Sequence, residues 1–432
     1  MTERGTVRAG NPSKPRRHLA SPGVALPSRA RLHALDALRV SAMLLVVSLH
    51  AALAYTQGNV PRLLWGVRDP AGPGFDLFCW WAMGVSLPLF FTMAGFFAAD
   101  LHGQLGPTGF VKNRVRRLFV PSVGAGLIVL PLTLYAWACG WLVTGRCTLR
   151  EILRLKFHGP GMQDALYGPA HLWFLEYLVC MLVAFWAVRK VWPAARADAL
   201  ASRLLATRWR PLVLAVPTAA ILWVSRERVG LDAVLDRHNT FVIDPLRLLH
   251  HGLFFAVGAR LHAFRDDLGR FRTPGLLYLA LAVPVFAARA WLLPGDWIHP
   301  LTGAPALLLV ALGGLFAWLI VFGFLGVALR WFDRPRPAVR YLADSSFWMY
   351  LCHFPIVGLV QADLFRLAWP AGVKCAVVWS LTMALGLSSY QVLVRHTVVG
   401  FWLHGARSRP ADRSVLAGPR REIRATASGQ RV

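Results

Sequence analysis

Apolar residues in this chain come in runs too long for a soluble fold. A window of about 19 residues predicts ten helical segments, near 35–56, 75–99, 118–142, 170–192, 210–226, 246–264, 275–293, 302–329, 341–366 and 371–398. A helix rises about 1.5 Å per residue, so about 20 apolar residues cross the hydrocarbon core of a bilayer. The fifth segment, PLVLAVPTAAILWVS, is short, and the eighth is long enough to tilt. Composition agrees. Of 432 residues, 56% are hydrophobic and 16% charged, against about 45–50% and about 25% in soluble domains. The expectation is an all-α integral membrane protein, a single bundle of about ten transmembrane helices with no soluble domain between them and no visible internal repeat.

The formal net charge of +26 raises nucleic acid as a partner, and its distribution argues against one. Lysines and arginines gather in the two tails and in alternate short loops, as the positive-inside rule produces. Examples are Lys112, Arg114, Arg116 and Arg117 in the second loop and Arg330, Arg334, Arg336 and Arg340 in the eighth. The intervening loops are poorer in charge or balanced, as in RERVGLDAVLDRHNT. Both termini are therefore expected on the cytoplasmic side of a bacterial-type plasma membrane, with residues 1–34 and 399–432 as disordered basic tails flanking a membrane domain over 35–398. An ALA tripeptide at 52–54 resembles a signal-peptidase site; the long preceding tail and the helices that follow argue against cleavage. Cys79, Cys139, Cys147, Cys180, Cys352 and Cys375 are scattered without a CxxC pair, so neither a disulfide framework nor a metal site is expected.

Within the apolar runs, polar residues are costly and mark candidate sites. In RVSAMLLVVSLH, Arg39 and His50 lie eleven residues apart. That is three helical turns, so both share one face about 16 Å apart. Arginine offers a planar fork suited to phosphate, and histidine exchanges a proton near neutral pH. The separation resembles the reach of a pantetheine arm. Arg114 and Arg117 form an RxxR pair one turn apart at the cytoplasmic end, a second phosphate grip, although ordinary topology also places arginines there. In FFTMAGFFAAD, Gly95 between bulky aromatics permits close approach of a helix or a ligand, helix packing being the simpler reading. GPAHLWFLEYL places His171 and Trp173 at the outer interface and Glu176 further in. YLADSSFWMYLCHFPIV opens with Asp344, Ser345 and Ser346 and continues to Tyr350 and His353, with Pro355 bending the helix and leaving backbone carbonyls near His353. A Ser–His–Asp hydrolase is not expected there, since GxSxG is absent. His250-His251 and Arg289 are further intramembrane candidates; adjacent histidines diverge on a helix, which disfavours a metal role.

Taken in order, these elements resemble the acyltransferase 3 family of membrane-bound O-acyltransferases. Arg39-x10-His50 resembles the family's R-x10-H motif, Arg114-x-x-Arg117 its RxxR, FFTMAGFF its F-x-x-S/A-G-F/Y-F element, and HLWFL and SSFWMYLCHFPIV its W-F-L and Y-L-x-H-x-P elements. The likeness covers about residues 30–395 and is nearest to the glucan biosynthesis protein C branch, whose members succinylate glucans. Ala94 stands where the family often has Ser, and Glu176 does not align cleanly with the W-S-L-x-x-E of other branches.

The resemblance implies acyl-CoA (acetyl-CoA or succinyl-CoA) as donor substrate, no permanently bound cofactor, no metal, and a glycan or related hydroxyl acceptor outside the cytoplasm. Arg114, Arg117 and Arg39 then hold the CoA phosphates and His50 serves as general base. His353, Tyr350 and Glu176 line the cavity or stabilise the oxyanion. Two other classes stay open at this point: a secondary transporter exporting a charged or acylated small molecule, and a lipid- or glycan-binding membrane component without catalysis. The sequence gives no oligomeric state.

Overall fold

The computed structural model describes residues 32–58, 65–159, 162, 166–191, 202–229, 239–293, 301–397 and 399–400. Nearly all of both basic tails and loop residue Arg196 lie outside them. Among the described residues there are helices and loops and no strand. In chain order the helices are α1 (His33–Ala52), α2 (Pro73–Arg114), α3 (Val120–Val143), α4 (Leu149–Arg154), α5 (Trp173–Val191), α6 (Arg210–Val229), α7 (Pro245–Leu261), α8 (Arg272–Leu292), α9 (Gly303–Trp331), α10 (Pro337–Leu364) and α11 (Ala371–Ser389). Each segment expected from hydropathy falls on one of them. Among the described residues, seven continuous helical runs are long and apolar enough to cross a membrane. Two of these, Pro73–Val143 and Pro245–Leu292, each contain two expected segments, and α6 is not among the seven.

The second predicted loop is not a loop. Helix α2 continues beyond residue 99 to Arg114, broken at Gly106, whose φ of 67° is left-handed, just before Pro107. A π turn, Val115–Phe119, then leads into α3. In it the N–H of Val120 donates to Val115 O, five residues back, and Pro121 just beyond has no N–H to offer the carbonyl of Arg117. Such insertions are common at functional segments, and this one carries Arg116 and Arg117. Sequence reading also missed α4. It is opened by a capping box in which Thr148 accepts from the Glu151 N–H and Glu151 accepts from the Thr148 N–H.

Thirteen of the 20 residues of α1 are buried, which makes it an interior helix. It packs against α2, α9, α10 and α11, while α10 also packs on α3 and α11. Helices α2 and α7 cross where two glycines meet the opposing backbone. A Cβ on Gly95 would overlap Phe255 O, and one on Gly258 would overlap Thr92 O. The close approach expected of Gly95 is therefore a helix crossing. From His33 onward the described residues belong to one compact unit. The end of α1, the middle of α10 and the start of α5 meet inside it.

Candidate active site

His50 lies in the last turn of α1, and His353 near the middle of α10. Their rings are hydrogen-bonded, His353 Nε2 to His50 Nδ1 at 3.0 Å. The direction of that bond follows from the other side of His353. Its Nδ1 lies 3.0 Å from Met349 O and 2.8 Å from Tyr350 O. Carbonyls only accept, so this nitrogen carries the proton. In the neutral ring Nε2 must then accept, and His50 Nδ1–H must donate. His50 is thereby fixed as the tautomer whose Nε2 holds the lone pair, the form a general base requires. His353 is fully buried with both nitrogens engaged, so its ring is held rather than free to flip.

The backbone of His50 is held as well. A helix leaves its last carbonyls without intrahelical donors. Here Gln361 of α10 donates to His50 O (3.1 Å) and Ala51 O (3.0 Å). The same amide accepts from Trp65 Nε1 at 2.7 Å. Trp65 stacks on the His50 ring, centroids 5.8 Å apart and planes 9° apart. Its loop is tied down by Arg146 donating to Trp65 O and by Lys374 pairing with Asp69 at 2.8 Å. Gly140 of α3 lies so close to the Gly66 backbone that a Cβ on it would overlap that backbone.

Pro355 supplies the third wall. Lacking an N–H, it leaves Leu351 O without its helical donor. His171 Nε2 fills that vacancy at 3.1 Å, and Tyr350 OH donates in return to His171 O. The His171 ring stacks on Phe354, centroids 4.5 Å apart. Ala170, just before it, has a left-handed φ of 47°, strained for a residue with a side chain. The amide oxygen of Asn239 accepts from Ala170 N at 2.9 Å and holds that turn. Together these groups enclose a cavity of about 80 Å³ lined by His50, Trp65, His171, Trp173, Asn239 and Arg247, among others.

At the other end of α1 a larger cavity of about 420 Å³ is lined by Arg39, Arg114 and Arg117 together, with Asn113, Asp344 and Ser346. The guanidinium of Arg39 lies 4.8 Å from the Phe97 ring, and that of Arg114 5.7 Å from the Phe110 ring. Three arginines around one cavity have the charge and planar donor geometry that suit a polyanion. Only a thin layer separates the two cavities. Tyr350 and Phe174 line the arginine cavity, while their neighbours Phe354 and Trp173 line the histidine cavity.

Of the residues singled out in the sequence, His50 and His171 line one cavity and Arg39, Arg114, Arg117 and Tyr350 the other, while His353 lines neither and bonds to His50 from behind. Glu176 lines neither cavity; its Oε2 is buried without a hydrogen-bond partner among the described residues. No three His, Cys, Asp or Glu side chains among the described residues are placed to hold a metal ion. Trp65, Gln361, Asn239, Thr240 and Arg247 were not anticipated, and His171 was read only as an interface residue. Arg247 and Gln361 did carry a signal, since each is a polar residue within an expected span. Trp65, in a loop, carried none.

No curated protein and no solved structure matches the chain. A family described as an acyltransferase domain matches residues 32–389. That range runs from the first turn of α1 through the last helix of the bundle, and takes in both cavities. The chain belongs to the acyltransferase 3 family and is a membrane acyltransferase, its transferred group other than aminoacyl.

Proposed function

We propose that the protein moves an acyl group, acetyl or succinyl, from cytoplasmic acyl-CoA to a hydroxyl of an extracytoplasmic glycan or related acceptor, in the manner of glucan biosynthesis protein C. The observation that carries this reading is the 3.0 Å bond from His50 to His353, which sets the tautomer of His50. Arg39, Arg114 and Arg117 take the phosphates of CoA. The pantetheine arm extends along α1 toward His50, about 16 Å away. His50 Nε2 removes the proton of the acceptor hydroxyl as its oxygen attacks the thioester carbonyl. The tetrahedral intermediate collapses with cleavage of the C–S bond. The His50 imidazolium returns the proton to the departing thiolate. Acceptor and acyl-CoA thus become ester and free CoA, with no net proton change. His353 is a positioning residue, and no step is assigned to Glu176.

Ten crossings with both termini cytoplasmic complete the proposal, since this arrangement puts the arginine cavity on the CoA side and His50 toward the acceptor side. It is tested by incubating membranes that contain the protein with acyl-CoA, with and without a glycan acceptor. Free thiol released only when the acceptor is present supports it. Label accumulating in sealed vesicles with the thioester intact would instead make the protein a transporter.

A further inference from the structure

The His50 cavity has a charged wall that the transfer of a neutral acyl group to a neutral sugar does not use. Arg247 lies in the first turn of α7, inside an apolar segment, and is only 6% exposed. That turn is clamped. Asp244 caps α7, accepting from Leu246 N (2.7 Å) and Arg247 N (3.2 Å), and its own N–H donates to Tyr177 OH (2.9 Å). The guanidinium lies 5.7 Å from the Trp173 ring, a cation–π contact with another residue of the cavity lining. The Arg247 side chain lines the same 80 Å³ space as His50, with Asn239 and Thr240 alongside.

At 6% exposure the Arg247 guanidinium gives up most of its hydration. Its planar fork matches a carboxylate or phosphate with paired hydrogen bonds. The phosphates of CoA belong at the opposite end of α1, so they are not its ligand. We infer that Arg247 binds an anionic group, carboxylate or phosphate, carried by the molecule that reacts at His50. This deepens the acyl-transfer reading and rests on it. The anion has two possible sources with one chemistry: an acidic sugar on the acceptor, or the distal carboxylate of a dicarboxylic acyl donor. In either case the cavity selects for charge close to the reacting centre.

The test measures binding to the full-length protein in lipid nanodiscs, without turnover. Two pairs of probes are compared: a glucuronate-terminated disaccharide against its neutral glucose counterpart, and succinyl-CoA against acetyl-CoA. In the wild type the anionic member of one pair should bind at least tenfold more tightly than its neutral partner. Arg247→Gln should bring that ratio close to one, while Arg247→Lys keeps part of it. Loss confined to the disaccharides assigns the anion to the acceptor, and loss confined to the CoA esters assigns it to the donor. A wild type with no preference in either pair overturns the inference, as does a preference that survives Arg247→Gln. Should that variant fail to fold, Arg247→Lys decides: at least a threefold fall in the ratio supports the inference, and an unchanged ratio overturns it. Binding and turnover separate the two readings. An Arg247-dependent preference in a protein that never releases CoA condemns the transfer reading. Acceptor-dependent CoA release with no such preference condemns only the role of Arg247.

Discussion

At His50 the proposed chemistry depends on which ring nitrogen carries the proton, and the answer lies two hydrogen bonds away in the backbone of α10. His353→Ala removes the acceptor for His50 Nδ1–H and lets the other tautomer form. We expect kcat to fall by about 10- to 100-fold, less than the full 10²–10⁴ of general-base help because His50 itself remains, with little change in KM for acyl-CoA. His353→Gln, whose amide oxygen can still accept, should recover part of the loss. Equal losses in both variants would count against the positioning role. In the arginine cavity, Arg117→Ala should weaken acyl-CoA binding by about tenfold, as expected for one charge-assisted bond of roughly 1.5 kcal/mol. Unchanged affinity by direct titration would remove Arg117 from the phosphate site. The Arg39–His50 alignment was legible in the sequence because helical periodicity alone sets it. The His50–His353 bond was not, since the two residues are 303 positions apart and only tertiary packing joins them.

Elements hold these residues through close contacts and broken hydrogen-bond ladders. Gly258→Ala would drive a methyl group into Thr92 O at the α2–α7 crossing. The helices must part, at an expected cost of about 1–3 kcal/mol, seen as a lower melting temperature of the purified protein; an unchanged melting point would mean that the crossing yields easily. The α4 capping box gives a pH-dependent expectation. Glu151 is pulled down to about 2, first by the His158 ring and then by the Thr148 N–H. A depressed carboxyl stabilises above its unfolded value, and the contribution fades as pH falls toward about 2. Hydrogen exchange in residues 149–154, corrected for its intrinsic pH dependence, should quicken over that fall in the wild type and not in Glu151→Gln. The helical segments were readable from hydropathy. The π turn was not, although Pro121 stands beside it in the sequence: a missing N–H says that a ladder bond is absent without saying how the backbone around it is arranged. Pro355 did announce freed carbonyls, but not that His171, 180 residues away, would take one of them.

Across the whole molecule, the sequence disclosed a helical membrane bundle and two clusters of polar residues, while the two cavities and the thin layer between them exist only once the helices pack. In the proposed mechanism the acyl group passes that layer, which has Tyr350 and Phe174 on one side and Trp173 and Phe354 on the other. The proposed topology expects reporters fused to either terminus to stay inaccessible to membrane-impermeant reagents in intact cells; labelling of either one would invert the assignment of the cavities. The central claim is that His50 deprotonates the acceptor. It is tested most directly by single-turnover transfer from radiolabelled acyl-CoA to a glycan acceptor, with the wild type and His50→Ala side by side in nanodiscs. The account predicts that His50→Ala binds acyl-CoA normally and forms acylated glycan at least 100-fold more slowly. Product formed at a near-normal rate by that variant would contradict it.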